Sequence, residues 1–450
     1  MRKKVLSTTQ FIMLSFLVTI FVGSVLLSLP ISSVTGKAVG YLDALFTATT
    51  ATCVTGLVTV PVVTTWSVFG QIVILLLIQI GGLGVVTIMS GIMISLHKRL
   101  GLSDRALLQD SFNLCSLSGL VRFTKKVILG TFVIEFVGAL MYMTVFVPQF
   151  GAKGIWISVF NSISAFCNAG IDIISENSLC EYTLNPVINI TTSLLIILGG
   201  LGFVVWWDIV KAIKNFKRLK FGVLKNLTLH SKIVLCATVL LLGLGTVAIL
   251  LFEYNNPLTI GEFTLPQKIQ AAFFQSVTTR TAGFATIPQQ NFTNASAFVS
   301  ILLMFIGGSP IGTAGGIKTV TLIVLIASII STIKNKNETV LFNRRISKKV
   351  VDKAIAVTGM SLFILITSTV LLAAVTDADS LAIVYETASA TATVGLTRSL
   401  TPLLNGVGKI IIIATMYLGR VGPISLAVAF KTRKETANIV KNPTEEISVG

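Results

Sequence analysis

Long apolar stretches alternate with shorter, half-polar stretches along the whole chain. Each half-polar stretch is rich in Thr, Ser and Ala and is too short to cross a bilayer, so it fits a re-entrant half-helix. The apolar stretches approach or exceed the roughly 20 residues that a membrane-spanning helix needs. There are eight, at residues 10–30, 67–96, 127–147, 186–207, 231–252, 298–306 with 317–333, 355–375 and 407–430.

The half-polar stretches recur in register. Four of them align without gaps, each with an aromatic residue ten positions before a glycine: Phe46 to Gly56, Phe160 to Gly170, Phe273 to Gly283 and Tyr385 to Gly395. The glycines are spaced by 114, 113 and 112 residues. This regularity predicts an all-α membrane protein with four tandem helix–pore-loop–helix repeats. Eight transmembrane helices and four re-entrant loops would surround one pseudo-fourfold pore.

The repeat boundaries follow from the same spacing. We expect repeats at residues 1–99, 100–218, 219–337 and 338–431, followed by a cytoplasmic tail at 432–450. The third repeat is expected to have a broken second helix. The first apolar stretch is expected to be a retained helix, because no signal-peptide cleavage pattern follows it.

Composition and charge agree with a membrane location. The chain is 53% hydrophobic and 12% charged, with a mean hydropathy of +0.87, which excludes an ordinary soluble domain. Of the 35 Lys and Arg residues, 27 lie in five segments, at 2–4, 98–126, 211–232, 334–353 and 431–441. The positive-inside rule makes these segments cytoplasmic, so both termini are expected inside and the net charge of +17 does not indicate nucleic acid. The five scattered cysteines predict neither a disulfide framework nor a zinc site.

The glycine that ends each half-polar stretch indicates an ion pathway. Non-helical backbone persists at membrane depth only where it is buried in protein or lines a water-filled cavity. Glycine permits backbone angles that turn successive carbonyls toward one axis, and carbonyl rings replace the water shell of potassium in selective filters. For one glycine alone, helix packing or a tight turn is the commoner explanation. The residues of the predicted filter, whose backbone carbonyls would bind K+, are Cys53, Val54, Thr55 and Gly56; Phe166, Cys167, Asn168, Ala169 and Gly170; Arg280, Thr281, Ala282 and Gly283; and Ala392, Thr393, Val394 and Gly395.

Glycines also recur in the second apolar helix of each repeat. In repeats 1 and 2 they are interpreted as helix-packing positions, and they are Gly81, Gly82, Gly84, Gly199, Gly200 and Gly202. In repeat 3, five glycines and a proline should unwind the helix into a loop that obstructs the pore and can move. The alternative is a structural kink. The predicted gate comprises Gly307, Gly308, Ser309, Pro310, Gly312, Thr313, Gly315 and Gly316, with Lys318 as a tether and Arg420 beneath the filter.

Charged residues at membrane depth are costly and therefore informative. Arg420 is expected to point into the pore, the alternative being a structural pair with a carboxylate or with carbonyls. Arg280 is expected to brace the filter rather than contact ions. Asp43, Asp172 and Glu386 lie near the outer ends of the re-entrant stretches, where they either attract cations or are merely solvated. Solvation is the favoured interpretation for Asp172.

At these residues the chain resembles the Trk/Ktr/HKT superfamily of potassium transporters, and most closely its bacterial KtrB membrane subunits. The resemblance covers nearly the whole chain, and single-glycine filters are usual in that superfamily. It is carried by Asp43 to Ala48 with Val54 to Leu57, Ser164 to Gly170, Arg280 to Phe284, Thr393 to Thr397, and Gly419 to Pro423.

The resemblance implies a function and an assembly. It implies potassium uptake across the bacterial cytoplasmic membrane by a homodimer with one pore per subunit, with Na+ as a candidate activator. A cytosolic ring of nucleotide-binding regulatory subunits, of the RCK/KTN kind, would gate it. Residues 307–316 would be the gating loop and Arg420 the pore arginine. Gly56 implies potassium selectivity, because relatives with serine there tend toward sodium.

Two other classes of protein fit less well. A sodium-coupled secondary transporter of a small organic solute also uses broken helices, but it predicts two inverted repeats. The four repeats here all begin and end beside basic segments and so share one orientation. A membrane-embedded enzyme needs a catalytic constellation in the apolar region, yet His97 and His230 lie in cytoplasmic-side segments. We therefore expect no enzyme.

Overall fold

A computed structural model describes residues 8–95, 120–214, 227–336 and 338–422. The predicted tail, the basic segments 2–4 and 431–441, and the last part of the eighth apolar stretch lie outside the described residues. Each of the four repeats opens with one long apolar helix, which we call its first helix. The first helices are Thr8–Leu27, Leu120–Phe150, Leu229–Glu253 and Lys348–Ala373.

A short helix follows each first helix, and we call it the half-helix of that repeat. The half-helices are Tyr41–Cys53, Ala152–Cys167, Leu265–Thr278 and Ser380–Ala392. Most of their residues are buried, although they carry many Thr and Ser side chains. The first helices instead expose apolar side chains such as Phe21, Phe132, Leu251 and Phe363. This reversal is expected where lipid surrounds the protein and the polar half-helices line its interior.

The second helix of each repeat begins at a polar capping residue whose side chain accepts a hydrogen bond from a backbone N–H of the first turn. The caps are Ser67, Asn185, Thr293 and Asn405. The helical segments are Val68–Leu83 and Val85–Ser95, Pro186–Leu201 and Phe203–Lys214, Asn294–Phe305 and Thr319–Ile333, and Gly406–Val421.

The predicted break in the second helix of repeat 3 is present between Phe305 and Thr319, and breaks that were not predicted occur in other repeats. Gly84, Gly202 and Gly422 end the helices of repeats 1, 2 and 4 with φ of 85°, 88° and 88°. An α-helix cannot continue through such angles. In repeat 2 the two segments meet at 100°. The interpretation of Gly84 and Gly202 as packing positions is therefore corrected, because these glycines break the helix.

The helical membrane fold is confirmed. Within the described ranges, the four first helices are each long and apolar enough to cross a membrane, and the bent pair of repeat 2 makes a fifth candidate span. The other second helices are built from shorter apolar segments, because glycines interrupt them.

A few short elements complete the described chain. Single turns of helix lie at Pro30–Ser32, Val62–Thr65, Cys180–Tyr182, Gln289–Asn291 and Thr401–Leu403. An antiparallel hairpin of Thr339–Leu341 and Arg344–Ile346 joins repeats 3 and 4. This hairpin was not predicted.

Candidate functional site

The four glycines that end the half-polar stretches meet in one ring, which we call the glycine ring. Gly56, Gly170, Gly283 and Gly395 all have positive φ, between 63° and 101°. A Cβ on Gly56 would lie 3.2 Å from Cα of Gly395 and 3.3 Å from Cα of Gly170. Residues separated by more than 100 positions in sequence are thus brought to one axis.

The glycine ring closes in the order of the repeats. A Cβ on Gly56 would lie 2.6 Å from the carbonyl oxygen of Ala169, which precedes the next glycine. The same relation holds from Gly170 to the oxygen of Ala282, from Gly283 to Val394 and from Gly395 to Thr55. Each glycine therefore lies against the carbonyl that precedes the glycine of the following repeat, and repeat 4 returns to repeat 1. A side chain at any of these four positions would displace one of those carbonyls.

Side-chain hydroxyls hold the backbone behind the ring. Thr50 Oγ1 accepts a hydrogen bond from Gly56 N at 2.9 Å, and Ser389 Oγ accepts one from Gly395 N at 3.0 Å. In repeat 2, Ser164 Oγ accepts from Ile171 N at 3.2 Å. These bonds satisfy backbone N–H groups of the segments that form the glycine ring.

One residue per repeat, two positions before the glycine, adopts a left-handed conformation. These residues are Val54, Asn168, Thr281 and Thr393, with φ of 56°, 60°, 67° and 51°. We call them the cap ring, because Val54, Asn168 and Thr393 are the C-caps of their half-helices. Left-handed angles are uncommon for non-glycine residues, so four in register mark a shared backbone turn.

A cavity of about 380 Å³ adjoins the glycine ring, and we call it the outer cavity because the positive-inside rule predicts this side to be extracellular. All four ring glycines line it, together with residues that follow them in sequence, including Asp172 and Glu176. Asp172 is half-buried, and burial raises the pKa of its carboxyl to about 6. The structure thus places Asp172 on the wall of this cavity.

The other two outer acids already have protein partners. Asp43 forms an ion pair with Lys409 at 2.6 Å and accepts a hydrogen bond from Thr59. Glu386 is buried and accepts hydrogen bonds from Thr397 Oγ1 and Thr401 Oγ1. Both carboxylates therefore link elements of the protein.

The interrupted helix of repeat 3 forms a loop at Ile306–Lys318 beside the cap ring. Because it contains the residues predicted as a gate, we call it the gate loop. It is bonded to the break in the second helix of repeat 2. Ser309 N donates to Gly200 O at 2.9 Å, Thr313 N donates to Gly199 O at 3.1 Å, and Phe203 N donates to Ile311 O at 3.0 Å. The loop is thus held by main-chain bonds that a helix break makes available.

Side chains fix the gate loop to the filter segments. Thr313 Oγ1 donates to Phe166 O at 3.1 Å, and Gly315 N donates to Thr281 Oγ1 at 3.2 Å. Lys318 Nζ donates to Ala314 O at 2.5 Å within the loop.

Arg420 joins the gate loop to repeat 1. Its Nη1 donates to Thr313 O at 2.6 Å and its Nη2 donates to Gly81 O at 2.5 Å. Gly81 packs against the last turn of the half-helix of repeat 1, because a Cβ on Gly81 would collide with Thr52 O. Arg420 therefore binds carbonyls, and one guanidinium links repeats 1, 3 and 4.

Arg280 lies beside the gate loop. Its side chain is 7% exposed and lines a small cavity with Thr238, Gly200 and Gly308. Arg280 Nε has no hydrogen-bond partner among the described residues.

Sequence analysis overlooked Glu135. This carboxyl is 4% exposed within the first helix of repeat 2, and it accepts a hydrogen bond from Gln79 Nε2 at 3.1 Å. Cys167 Sγ lies 3.6 Å from Gln79 Oε1, which connects Glu135 to a filter segment. The available signal was a single carboxylate inside an apolar stretch.

Comparisons with known proteins agree with this geometry. The family TrkH, described as a cation transport protein, matches residues 5–442. The Ktr system potassium uptake protein B of Bacillus subtilis is 40% identical over 98% of this chain and 96% of its own length. The potassium/sodium uptake protein NtpJ of Enterococcus hirae is 38% identical over 100% of this chain and 98% of its own.

A solved structure shows the same fold. The potassium transporter TrkH from Vibrio parahaemolyticus superposes with a TM-score of 0.76 at 15% sequence identity. The match covers 96% of this chain and 86% of that chain. At this identity the likeness concerns the fold.

Proposed function

Because the chain belongs to the TrkH family of cation transport proteins, we propose that it takes up potassium as the ion-translocating subunit of a Ktr-type system. As a member of a cation transport family it is not an enzyme. The observation that carries the proposal is the closed glycine ring, in which each glycine lies against the carbonyl that precedes the glycine of the following repeat. Such a ring offers oxygen ligands in place of the water shell of K+.

The path of the ion follows from the stacking of these features. K+ enters the outer cavity, passes the carbonyls of the filter segments and reaches the cap ring. There the gate loop, with Thr313 and Gly315 bonded to Phe166 and Thr281, blocks its exit. Opening requires this loop to leave the pathway. That movement also breaks the hydrogen bond from Arg420 Nη1 to Thr313 O.

The assembly is proposed from the relatives. One relative is named protein B of a Ktr system, which implies that the system has a further subunit. We propose that this subunit forms a cytosolic, nucleotide-binding ring of the RCK/KTN kind. The ring would bind a homodimer of the membrane chain and move its gate loop. The chain would lie in the bacterial cytoplasmic membrane with both termini inside. Sodium is proposed as an activator, since one relative is named for both ions.

The test is potassium uptake in a bacterial strain without its own potassium systems. The intact chain, expressed with a cognate cytosolic partner, should restore growth at low potassium. Gly56→Ser should admit sodium, because the added side chain displaces the Ala169 carbonyl. Deletion of residues 309–314 should raise the flux. No potassium uptake by the intact pair would overturn the proposal.

A further inference from the structure

The cap ring holds polar side chains that the filter carbonyls do not explain. Asn168 is fully buried, and neither its Oδ1 nor its Nδ2 has a hydrogen-bond partner among the described residues. Thr393 is also fully buried, and its Oγ1 is likewise unpartnered there. Buried polar groups are normally satisfied, so these two need an explanation.

Both side chains lie close to the gate loop or to the helix break that binds it. A Cβ on Gly200 would lie 3.5 Å from Asn168 Nδ2 and 3.9 Å from Ala314 Cβ, so Asn168 and Ala314 share one wall. A Cβ on Gly315 would meet Thr393 Oγ1, and Gly315 N donates to Thr281 Oγ1 at 3.2 Å. Gly315 therefore lies beside Thr281 and Thr393, and Ala314 lies near the Gly200 position that Asn168 also approaches.

We propose that Asn168 Oδ1 and Thr393 Oγ1 bind K+ at the inner end of the filter, joined by Thr281 Oγ1 when the gate loop leaves. This inference rests on the proposed function and extends it from backbone carbonyls to side-chain oxygens. The side chain of Val54 carries no oxygen, so repeat 1 contributes no side-chain ligand to the site. Because Ala314 and Gly315 adjoin the site when the loop is in place, K+ bound there favours the withdrawn loop.

The experiment measures thermal unfolding of the purified full-length chain in KCl, NaCl or choline chloride at equal ionic strength. An ion that binds only the folded protein at concentration c stabilises it by RT ln(1 + c/Kd), so tighter binding gives greater stabilisation at a fixed ion concentration. Asn168→Val introduces valine, the residue that Val54 provides at the equivalent position of repeat 1. This variant should need about tenfold more K+ for half-maximal stabilisation, which is equivalent to about 1.4 kcal/mol of binding free energy. Asn168→Thr, the residue type of repeats 3 and 4, should recover most of the K+ effect.

The chain offers a matched control in Asn161. It lies on the same half-helix as Asn168, is 1% exposed, and both of its side-chain polar atoms are also unpartnered among the described residues. It belongs to neither ring. Asn161→Val should therefore keep the wild-type dependence on K+, whatever it does to the unfolding temperature in choline.

The outcomes separate this site from the filter. If K+ does not stabilise the wild type more than choline does, the proposed function and the inner site both fail. If K+ stabilises the wild type and Asn168→Val equally, the inner site is wrong and the filter stands. An equal loss in Asn161→Val and Asn168→Val assigns the effect to packing and also overturns the site. If Asn168→Val does not fold, Thr393→Val is measured in its place with the same expected loss.

Discussion

At the scale of single residues, surroundings distinguish the filter glycines from other membrane glycines. A Cβ on Gly243 or Gly359 would have no neighbour within 4 Å, whereas one on Gly56 would press on a carbonyl of the next repeat. Sequence predicted the positions of the ring glycines because four of them recur in register. It could not predict the contacts of Arg420, whose partners Thr313 and Gly81 lie 107 and 339 residues away.

Arg420 provides a direct test of the closed state. Arg420→Gln removes a positive charge from the pathway and two short hydrogen bonds, each worth roughly 1.5–3 kcal/mol when a charged group takes part. Both changes favour opening. We expect rubidium uptake by the chain alone, reconstituted in liposomes, to rise about tenfold or more.

Arg398 is the matched control for that variant. It also donates to backbone carbonyls, those of Gln289, Gln290 and Phe292, but far from the gate. Arg398→Gln should not raise uptake. Uptake by Arg420→Gln that stays at the wild-type level in properly inserted protein would show that Arg420 does not hold the gate closed.

Asp172 gives uptake a dependence on external pH. Burial raises the pKa of this carboxyl to about 6, so it is charged above that pH and neutral below it. The outer cavity then loses a negative charge as pH falls, and with it part of its attraction for cations. At low potassium, wild-type uptake should fall as pH drops from 7.5 to 5.

Uptake by Asp172→Asn should be low at both pH values and nearly flat between them. Glu176→Gln, on the wall of the same cavity but exposed, should keep the wild-type profile. An unchanged profile in Asp172→Asn would exclude this carboxyl as the source.

At the scale of elements, the half-helices and the break in the second helix of repeat 3 were predictable, whereas the helix ends at Gly84, Gly202 and Gly422 were not. The half-helices are short and half-polar, which leaves few alternatives at membrane depth. The motif Gly-Gly-Leu-Gly in an apolar stretch suits close helix packing as well as a break. Structure separates the two roles: Gly81 packs against Thr52 O, whereas Gly84 ends the helix with φ of 85°.

The gate loop is tested by adding one methyl group. A Cβ on Gly315 would lie 2.5 Å from Ala392 O and would also meet Thr393 Oγ1, so Gly315→Ala must displace the loop from the cap ring. We expect raised rubidium flux from the chain without its cytosolic partner. In the first helix of repeat 4, Gly359→Ala meets no atom within 4 Å and should leave the flux unchanged. Equal fluxes in both variants would contradict the position assigned to the loop.

At the scale of the whole molecule, the four repeats form a closed circle. Closure of the circle requires contacts between repeat 4 and repeat 1. A salt bridge from Lys409 Nζ to Asp43 Oδ1, 2.6 Å long, is one of them. The sequence predicted four units around one axis. It did not predict this pairing, because repeat symmetry says nothing about which side chains face each other across 366 residues.

The Asp43–Lys409 pair should stabilise this closure measurably. It is partly buried, with side chains 24% and 16% exposed. Asp43→Asn and Lys409→Met should each lower the unfolding temperature, and a double-mutant cycle should give a coupling of about 1 kcal/mol. Strictly additive effects would mean that the pair does not couple repeats 1 and 4.

The central claim is that ions pass through the ring of four glycines. Crystals grown with Tl+ in place of K+ test it directly, because the anomalous scattering of Tl+ gives difference-map peaks at the positions of the bound ions. The account predicts peaks on the axis of the glycine ring, in contact with the carbonyl oxygens of Thr55, Ala169, Ala282 and Val394. Peaks elsewhere in the membrane region, with none on that axis, would contradict it.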